Sequence, residues 1–440
     1  MRSKDTRGAG PVRPSFSLAS RCASLVVSML FGAAAHSADL TFACDAKGLG
    51  AQFCQEGAQE WARRNGHTVK VVQVPRSSTR RLELYKELLD AGSHSIDIYV
   101  IDIVWPGILA PSFVDMSSAA KDVVGQHLPS IIANNTVQGR LIAMPWFTDV
   151  GLMFYRKDLL DQYGIAVPRT WDALTQAART IQAGQRKAGK RDFWGYLWQG
   201  KASEGLTCNV LEWLVSRGAG RVIDDQGRIT VDNAAAAAAL HSAKLWIGDI
   251  SPPAVLTADE DATLEIFSAG HAAFMRNWPY AWALSNGVTS AVRGKVGIAP
   301  IPRGNDGQGA ATLGGQQLAV SLHSRHRAAA IELVMHLTGR EEQKRLALLA
   351  GVAPTVMDLY NDPLIKARNP YHAVLRDAVA GAVTRPSSVT GKHYEQVSEA
   401  IAATTHGVLA DGKDAASSVK ELAHRLQPLQ AGFTGNAQKR

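Results

Sequence analysis

The residues with the clearest chemical potential are two aspartates, one arginine and an unusual run of rings. Residues 272–282 read A-A-F-M-R-N-W-P-Y-A-W: an apolar, strand-like beginning leads into Trp278, Pro279, Tyr280 and Trp282, where a turn would ordinarily carry small polar residues. One account of such a cluster is core packing, because rings supply much of any interior. The other is a binding wall, since a flat ring offers apolar area with a polar edge and suits the mixed C–H and hydroxyl faces of a sugar. Asp102 interrupts the apolar run 100–105, where a charge needs compensation. Asp149 is a second carboxylate in an apolar setting, and Arg385 stands between Thr384 and Pro386. Carboxylates accept hydrogen bonds from vicinal hydroxyls and a guanidinium donates in a fixed fork, so two Asp, one Arg and several Trp/Tyr are the groups a carbohydrate site needs. Singly, each also has a structural account: Asp102 paired with a structural arginine, Asp149 as a cap, Arg385 as a surface charge.

Catalytic patterns fare less well. Asp102 and Asp149 could form the carboxylate pair of a secreted glycoside hydrolase, a chemistry that requires them about 5 to 9.5 Å apart with one pKa raised. No G-x-S-x-G, P-loop or H-E-x-x-H occurs, and His323 with His326 lacks a companion carboxylate at metal-site spacing, so both histidines read as surface groups at a helix start. Gly48-Leu49-Gly50 begins like a dinucleotide fingerprint, but Phe53 occupies the place of its third glycine. No cofactor or metal is expected.

The elements that must position these groups follow from periodicity. Residues 40–43 and 68–74 are strand-like and 52–65 helical; 79–91 places Leu82, Tyr85, Leu88 and Leu89 on one helical face, and 96–105 is a continuous strand-like run. This β-α-β-α-β order predicts a parallel sheet, with Asp102 near the carboxyl end of its strand, where open sheets bind ligands. Strands are predicted over 140–146 and 150–155, separated by a polar break at Phe147-Thr148-Asp149 that reads as a passage between lobes. Helices are predicted from Thr170 through Gln182, around Leu206–Leu214, from an Asp232 cap through Ile247, and after a Thr257/Glu260 capping box. Strands over 193–198, 296–301 and 318–321 and helices over 328–337, 341–349, 393–409 and 415–426 complete the chain, with 352–355 as a further crossing.

At 440 residues and 46% apolar composition the chain can build two sizeable cores. Residues 1–38 have the layout of a signal peptide: Arg2, Lys4, Arg7, Arg13 and Arg21, then an apolar run over 25–35 too short to span a bilayer, then small residues up to Ala38. That segment's five Lys/Arg and one Asp account for four of the eight net positive charges, and the remainder shows no basic block interleaved with aromatics, so no nucleic-acid partner is expected. Export permits a disulfide. Cys44 and Cys54 flank a glycine-containing turn and are the expected pair, leaving Cys208 as a buried thiol; the other account has all three as small core residues.

Taken together and in order, D-I-Y-V-I-D-I-V-W-P-G (97–107), L-I-A-M-P-W-F-T-D-V-G-L-M-F-Y-R-K-D-L-L (141–160), T-W-D-A-L (170–174), G-H-A-A-F-M-R-N-W-P-Y-A-W (270–282), V-G-I-A-P-I-P (296–302) and L-G-G-Q-Q-L-A-V-S (313–321) resemble the family 1 extracellular solute-binding proteins of sugar ABC importers, nearest their trehalose/maltose-binding branch. The resemblance covers essentially the whole chain after the leader. It implies an α/β, two-lobed periplasmic-binding-protein fold of type II with lobes joined by hinge crossings: lobe 1 from 39–147 plus 315–353, lobe 2 from 148–314 plus 354–440. It also implies a monomeric, periplasmic binding protein and not an enzyme, closing on a sugar and handing it to an ABC permease in the inner membrane. Carried over by position, the substrate-binding residues are Asp102, Phe147, Asp149, Trp278, Tyr280, Gly314, Gly315, Gln316 and Arg385. Phe147 stands where such pockets often have tyrosine, and Gln316 where they often have tryptophan, so these departures bear on which sugar is bound. The segment Ser77-Ser78-Thr79-Arg80-Arg81 resembles a pocket loop, and Glu212 is placed either at the cleft or on a helix surface.

Overall fold

The computed structural model describes residues 37–44, 49–75, 77–304 and 309–433. The leader expected over 1–38 therefore lies, but for its last two residues, outside the described residues.

Strands β1 (Asp39–Cys44), β2 (Thr68–Gln73) and β3 (Ile98–Asp102) pair in parallel, joined by helices Leu49–Asn65 and Ser78–Asp90, which realises the β-α-β-α-β reading. A hairpin of two short strands, β4 (Thr136–Val137) and β5 (Arg140–Leu141), precedes β6 (Met144–Val150) and β7 (Leu152–Arg156). Then come β8 (Trp194–Leu197), β9 (Ala272–Asn277), β10 (Val296–Pro300) and β11 (Leu313–Val320). They form one sheet of order β2-β1-β3-β11-β6 and another of order β10-β7-β9-β8. Each sheet is covered by helices because its central strands are largely buried on both faces. Phe42, Ile98, Val100, Leu318 and Val320 of the first pack with Leu333 and Leu337 of helix Arg327–Thr338. Phe154, Tyr196 and Phe274 of the second pack with Trp171, Trp213 and Trp246, whose rings meet one another at 5.3 and 5.9 Å.

Several local expectations are corrected. Phe147-Thr148-Asp149 is not a break: β6 runs through it, because β11 supplies hydrogen-bonding partners along that whole length, and the interruption falls at Gly151. For the same reason β11 extends back to Leu313, through the glycine pair. The apolar run 96–105 is strand only over Ile98–Asp102, since the chain turns before a short helix that Pro106 opens. The alanine helix, Ala234–Trp246, is capped by Asn233, whose side chain accepts from Ala236 N at 2.9 Å, and not by Asp232. Helix Glu260–Ser268 is capped by Asp259, while Thr257 ends a preceding 3-10 turn, so no Thr257/Glu260 box forms. Cys44 and Cys54 are joined as expected, and Cys208 is a buried thiol that burial pushes up to about 12.

Three backbone segments meet at Thr148. Its N–H donates to Ala353 O at 2.9 Å and its hydroxyl to Gly314 O at 3.1 Å, placing β6, β11 and the crossing near 353 side by side. Helix Ser387–Thr390 and helices Tyr394–Ala410 and Ala415–Gln430 close the described chain. Among the described residues no helix is long and apolar enough to cross a membrane.

Candidate ligand-binding cleft

The parallel strands of both sheets end at one cavity of about 260 Å³. Cys44 closes β1, Ser77 to Thr79 follow β2 and Asp102 ends β3; across the cavity lie the segments after β8, with Ser203 and Glu204, and after β9, with Trp278 and Tyr280. All nine residues named from the sequence lie on its wall.

Strand register explains five of them. Asp102 on β3 is opposite Gln316 on β11, which is opposite Phe147 on β6; two residues along, Gly314 is opposite Asp149. Because side chains alternate along a strand, these in-register neighbours share a face. The glycine pair has a steric cause. A Cβ at Gly314 would come within 2.8 Å of Trp278 Cζ3, and Gly315 has φ +128° with a Cβ position 2.5 Å from Phe147 O. Trp278 is thus seated against Gly314, while its Nε1 donates to Glu260 Oε1 at 3.4 Å and its N–H to Asn277 Oδ1 at 2.8 Å.

The charges are more closely coupled than the sequence suggested. Arg385 donates from Nη2 to Asp102 Oδ1 at 3.3 Å and from Nη1 to Glu204 Oε1 at 2.7 Å, and also reaches Leu313 O at 3.3 Å. Glu204 in turn accepts from Ser398 Oγ at 2.5 Å and from the Tyr394 hydroxyl. Arg385 is therefore neither a surface charge nor a lone donor: it bridges the end of β3 and the start of helix Glu204–Ser216. Arg81 lies over the Trp105 ring, 5.2 Å from its centroid, and donates to Gln316 Oε1 at 3.3 Å. At the rim Lys201 pairs with Asp259 at 3.4 Å.

Polar capacity remains unused. Asp149 Oδ1, Arg385 Nε, Arg81 Nε and Trp146 Nε1 are buried without a hydrogen-bond partner among the described residues, although the large majority of buried side-chain polar atoms have one. Burial, and then the neighbouring Asp102, push the Asp149 carboxyl well above the usual carboxylate range. Burial likewise raises Glu260. A wall with a ring, and with donors and a carboxyl that have no partner among the described residues, suits a neutral, many-hydroxyl solute.

Sequence reasoning placed Glu212 wrongly on either account. It is fully buried behind the wall, paired in a fork with Arg276 at 3.0 and 2.6 Å, and touches neither solvent nor cleft. Glu204 and Trp146 went unrecognised. Glu204 sits in the first turn of a helix, where a carboxylate ordinarily complements the dipole, so nothing in its type or spacing set it apart.

The sequence pattern of the family described as bacterial extracellular solute-binding protein matches residues 47–344. A Deinococcus radiodurans protein, named a probable ABC transporter-binding protein, is 45% identical over 408 residues, covering 92% of this chain and 97% of its own. The solved structure of maltose-bound MalE3 from T. maritima is similar with a TM-score of 0.84 at 35% identity, over 89% of this chain and 100% of that one. An ABC transporter solute-binding protein of Agrobacterium vitis S4 with bound D-mannitol has a TM-score of 0.76 over 90% of this chain and 100% of its own; at 21% identity the likeness is one of fold.

Proposed function

This chain belongs to the bacterial extracellular solute-binding proteins, and from that premise we propose that it captures a sugar, a disaccharide such as maltose or trehalose, for an ABC importer. The fold is the two-lobed type II arrangement, and the protein is a binding component and not an enzyme. The observation that carries the sugar reading is the convergence on one cleft of Trp278, Asp102, Asp149 and Arg385, with buried polar atoms that have no hydrogen-bond partner among the described residues. A hydroxyl-rich solute would satisfy those atoms from both walls and stack on the ring.

The division into lobes rests on the same geometry. Boundaries at 147/148, 314/315 and 353/354 fall on the segments that meet at Thr148, so a hinge there would move one sheet against the other. Sugar contacting both sides binds the closed form better than the open one and shifts the population toward closure. The filled monomer, exported to the periplasm, would then deliver its cargo to the permease of the importer.

A thermal-shift panel of maltose, trehalose, sucrose, sugar alcohols and monosaccharides tests this directly. A ligand that binds only the folded state must raise the melting temperature, so a shift with one disaccharide and not its isomers supports the reading and identifies the sugar. No shift with any member of the panel removes it. Recovery of the sugar chemically unchanged after long incubation separates binding from glycoside hydrolysis by Asp102 and Asp149.

A further inference from the structure

The cleft does not have one chemistry throughout. Beside β1, its wall is made by the Cys44–Cys54 disulfide, Phe53, Trp146, Leu346 and Val352. All of these belong to one packed apolar cluster, and each is between 1% and 8% exposed. None of these six wall residues carries a charge. Among the side chains of these six residues the one nitrogen or oxygen is Trp146 Nε1, which is buried and without a hydrogen-bond partner among the described residues. The charged groups come from other segments: Asp102 from the end of β3, Glu204 from the start of its helix, Arg385 from before Pro386. An apolar recess is therefore continuous with a polar cleft.

A hydroxylated ring pushed into that recess would lose water from hydroxyls that find only one N–H in exchange. Ordered water is held poorly there for the same reason, because a buried water needs two to four polar partners. A group without hydroxyls gains contact with the recess wall and leaves no partner behind. We propose that the recess is an aglycone subsite: resting on the sugar reading of the cleft, it takes an aryl or alkyl substituent joined to the bound sugar. The protein is then a receptor for glycosides with an apolar aglycone as well as for free sugar.

Calorimetric titration of the oxidised protein with methyl α-maltoside and phenyl α-maltoside tests the subsite, with the matching α-glucosides as a second pair. Phenyl is expected to bind about tenfold more tightly than methyl, as burial of a ring implies. Ala350→Leu, which adds bulk to a residue lining the same recess, should bring the phenyl-to-methyl ratio close to one; Val352→Phe is a second filling variant should the first fail to fold. Equal affinity of the two glycosides for the natural chain overturns the subsite and leaves the sugar reading standing. A preference that survives both filling variants places the phenyl group elsewhere, against Trp278 or Tyr280, and also overturns it. If neither glycoside of either pair binds while a free sugar of the thermal-shift panel does, the subsite falls and the sugar reading stands; if no free sugar binds either, both fall.

Discussion

Arg276 and Arg385 are both buried, and both meet a glutamate of helix Glu204–Ser216: Glu212 in the first case, Glu204 in the second. Around Arg276 the valences are closed. Glu212 takes two of its donors at 3.0 and 2.6 Å, Gln199 takes a third at 3.4 Å, and Glu212 Oε1, which meets Nη2, also accepts from Thr312 N at 3.1 Å. The guanidinium lies 4.2 Å from the centroid of the Trp278 ring, so this closed pair is the backing of the cleft wall. Around Arg385 the valences are open: its Nε is unpartnered among the described residues, and Asp102 and Glu204 are 13% and 14% exposed toward the cleft. Burial and pairing are alike in the two places. What separates a structural charge from a ligand-facing one is the hydrogen-bonding capacity left over after the fold has formed.

The comparison is broken most severely at its closed half. Glu212→Ala leaves Arg276 buried and unpaired, and should cost about 3–5 kcal/mol of unfolding free energy, read by urea titration of the natural chain and the variant. At the open half the balance should reverse. Arg385→Met is expected to weaken sugar binding by about 2 kcal/mol or more in calorimetry, while costing clearly less stability than Glu212→Ala, because the carboxylates it releases can rehydrate from the cleft. Similar stability losses in the two variants, with sugar affinity untouched in Arg385→Met, would remove the distinction. Trp278→Ala, which takes away the ring between the two halves, should weaken binding by about 2 kcal/mol with Arg276 and Glu212 still paired behind it. Unaltered affinity in that variant would mean that the ring serves packing alone.

Much of this was legible in the residues and some could not be. The βαβαβ order and the position of Asp102 at a strand end follow from periodicity, because a parallel sheet forces its ligands to the carboxyl ends. Phe147, Asp149, Gly314 and Gln316 share a face through register, which two separate strand patterns cannot specify without the pairing between them. The same gap turned a continuous strand through Asp149 into an apparent break. Glu212 and Glu204 are eight positions apart on one helix, and no local signal tells which is sealed inside and which opens on the cleft. That depends on Arg276 and Arg385, both more than sixty residues away. Cap choices failed where two neighbouring polar residues competed, as Asn233 with Asp232, since the winner is fixed by where the preceding strand or turn delivers the chain.

The smallest effect is one of slope, and it tests the open half without removing a charge partner. Asp149 Oδ1 lacks a partner among the described residues, and burial followed by Asp102 raises its pKa; the Asp149 charge is felt in turn by the buried phenols of Tyr360 and Tyr371, which burial and that charge push up. The folded chain therefore keeps this proton to a higher pH than the unfolded chain does. Between the ordinary carboxylate value and the raised one the native state binds more protons, so its stability falls as pH rises, by at most about 1.4 kcal/mol per pH unit for one group. Asp149→Asn presents a neutral amide at every pH and lacks that loss. Urea unfolding of both proteins from about pH 4 to 8 should show the variant gaining on the natural chain as pH increases. A difference independent of pH would mean that Asp149 already has a compensating partner in the protein without added sugar, and the open half would then have to be rebuilt on Arg385 and Arg81 alone.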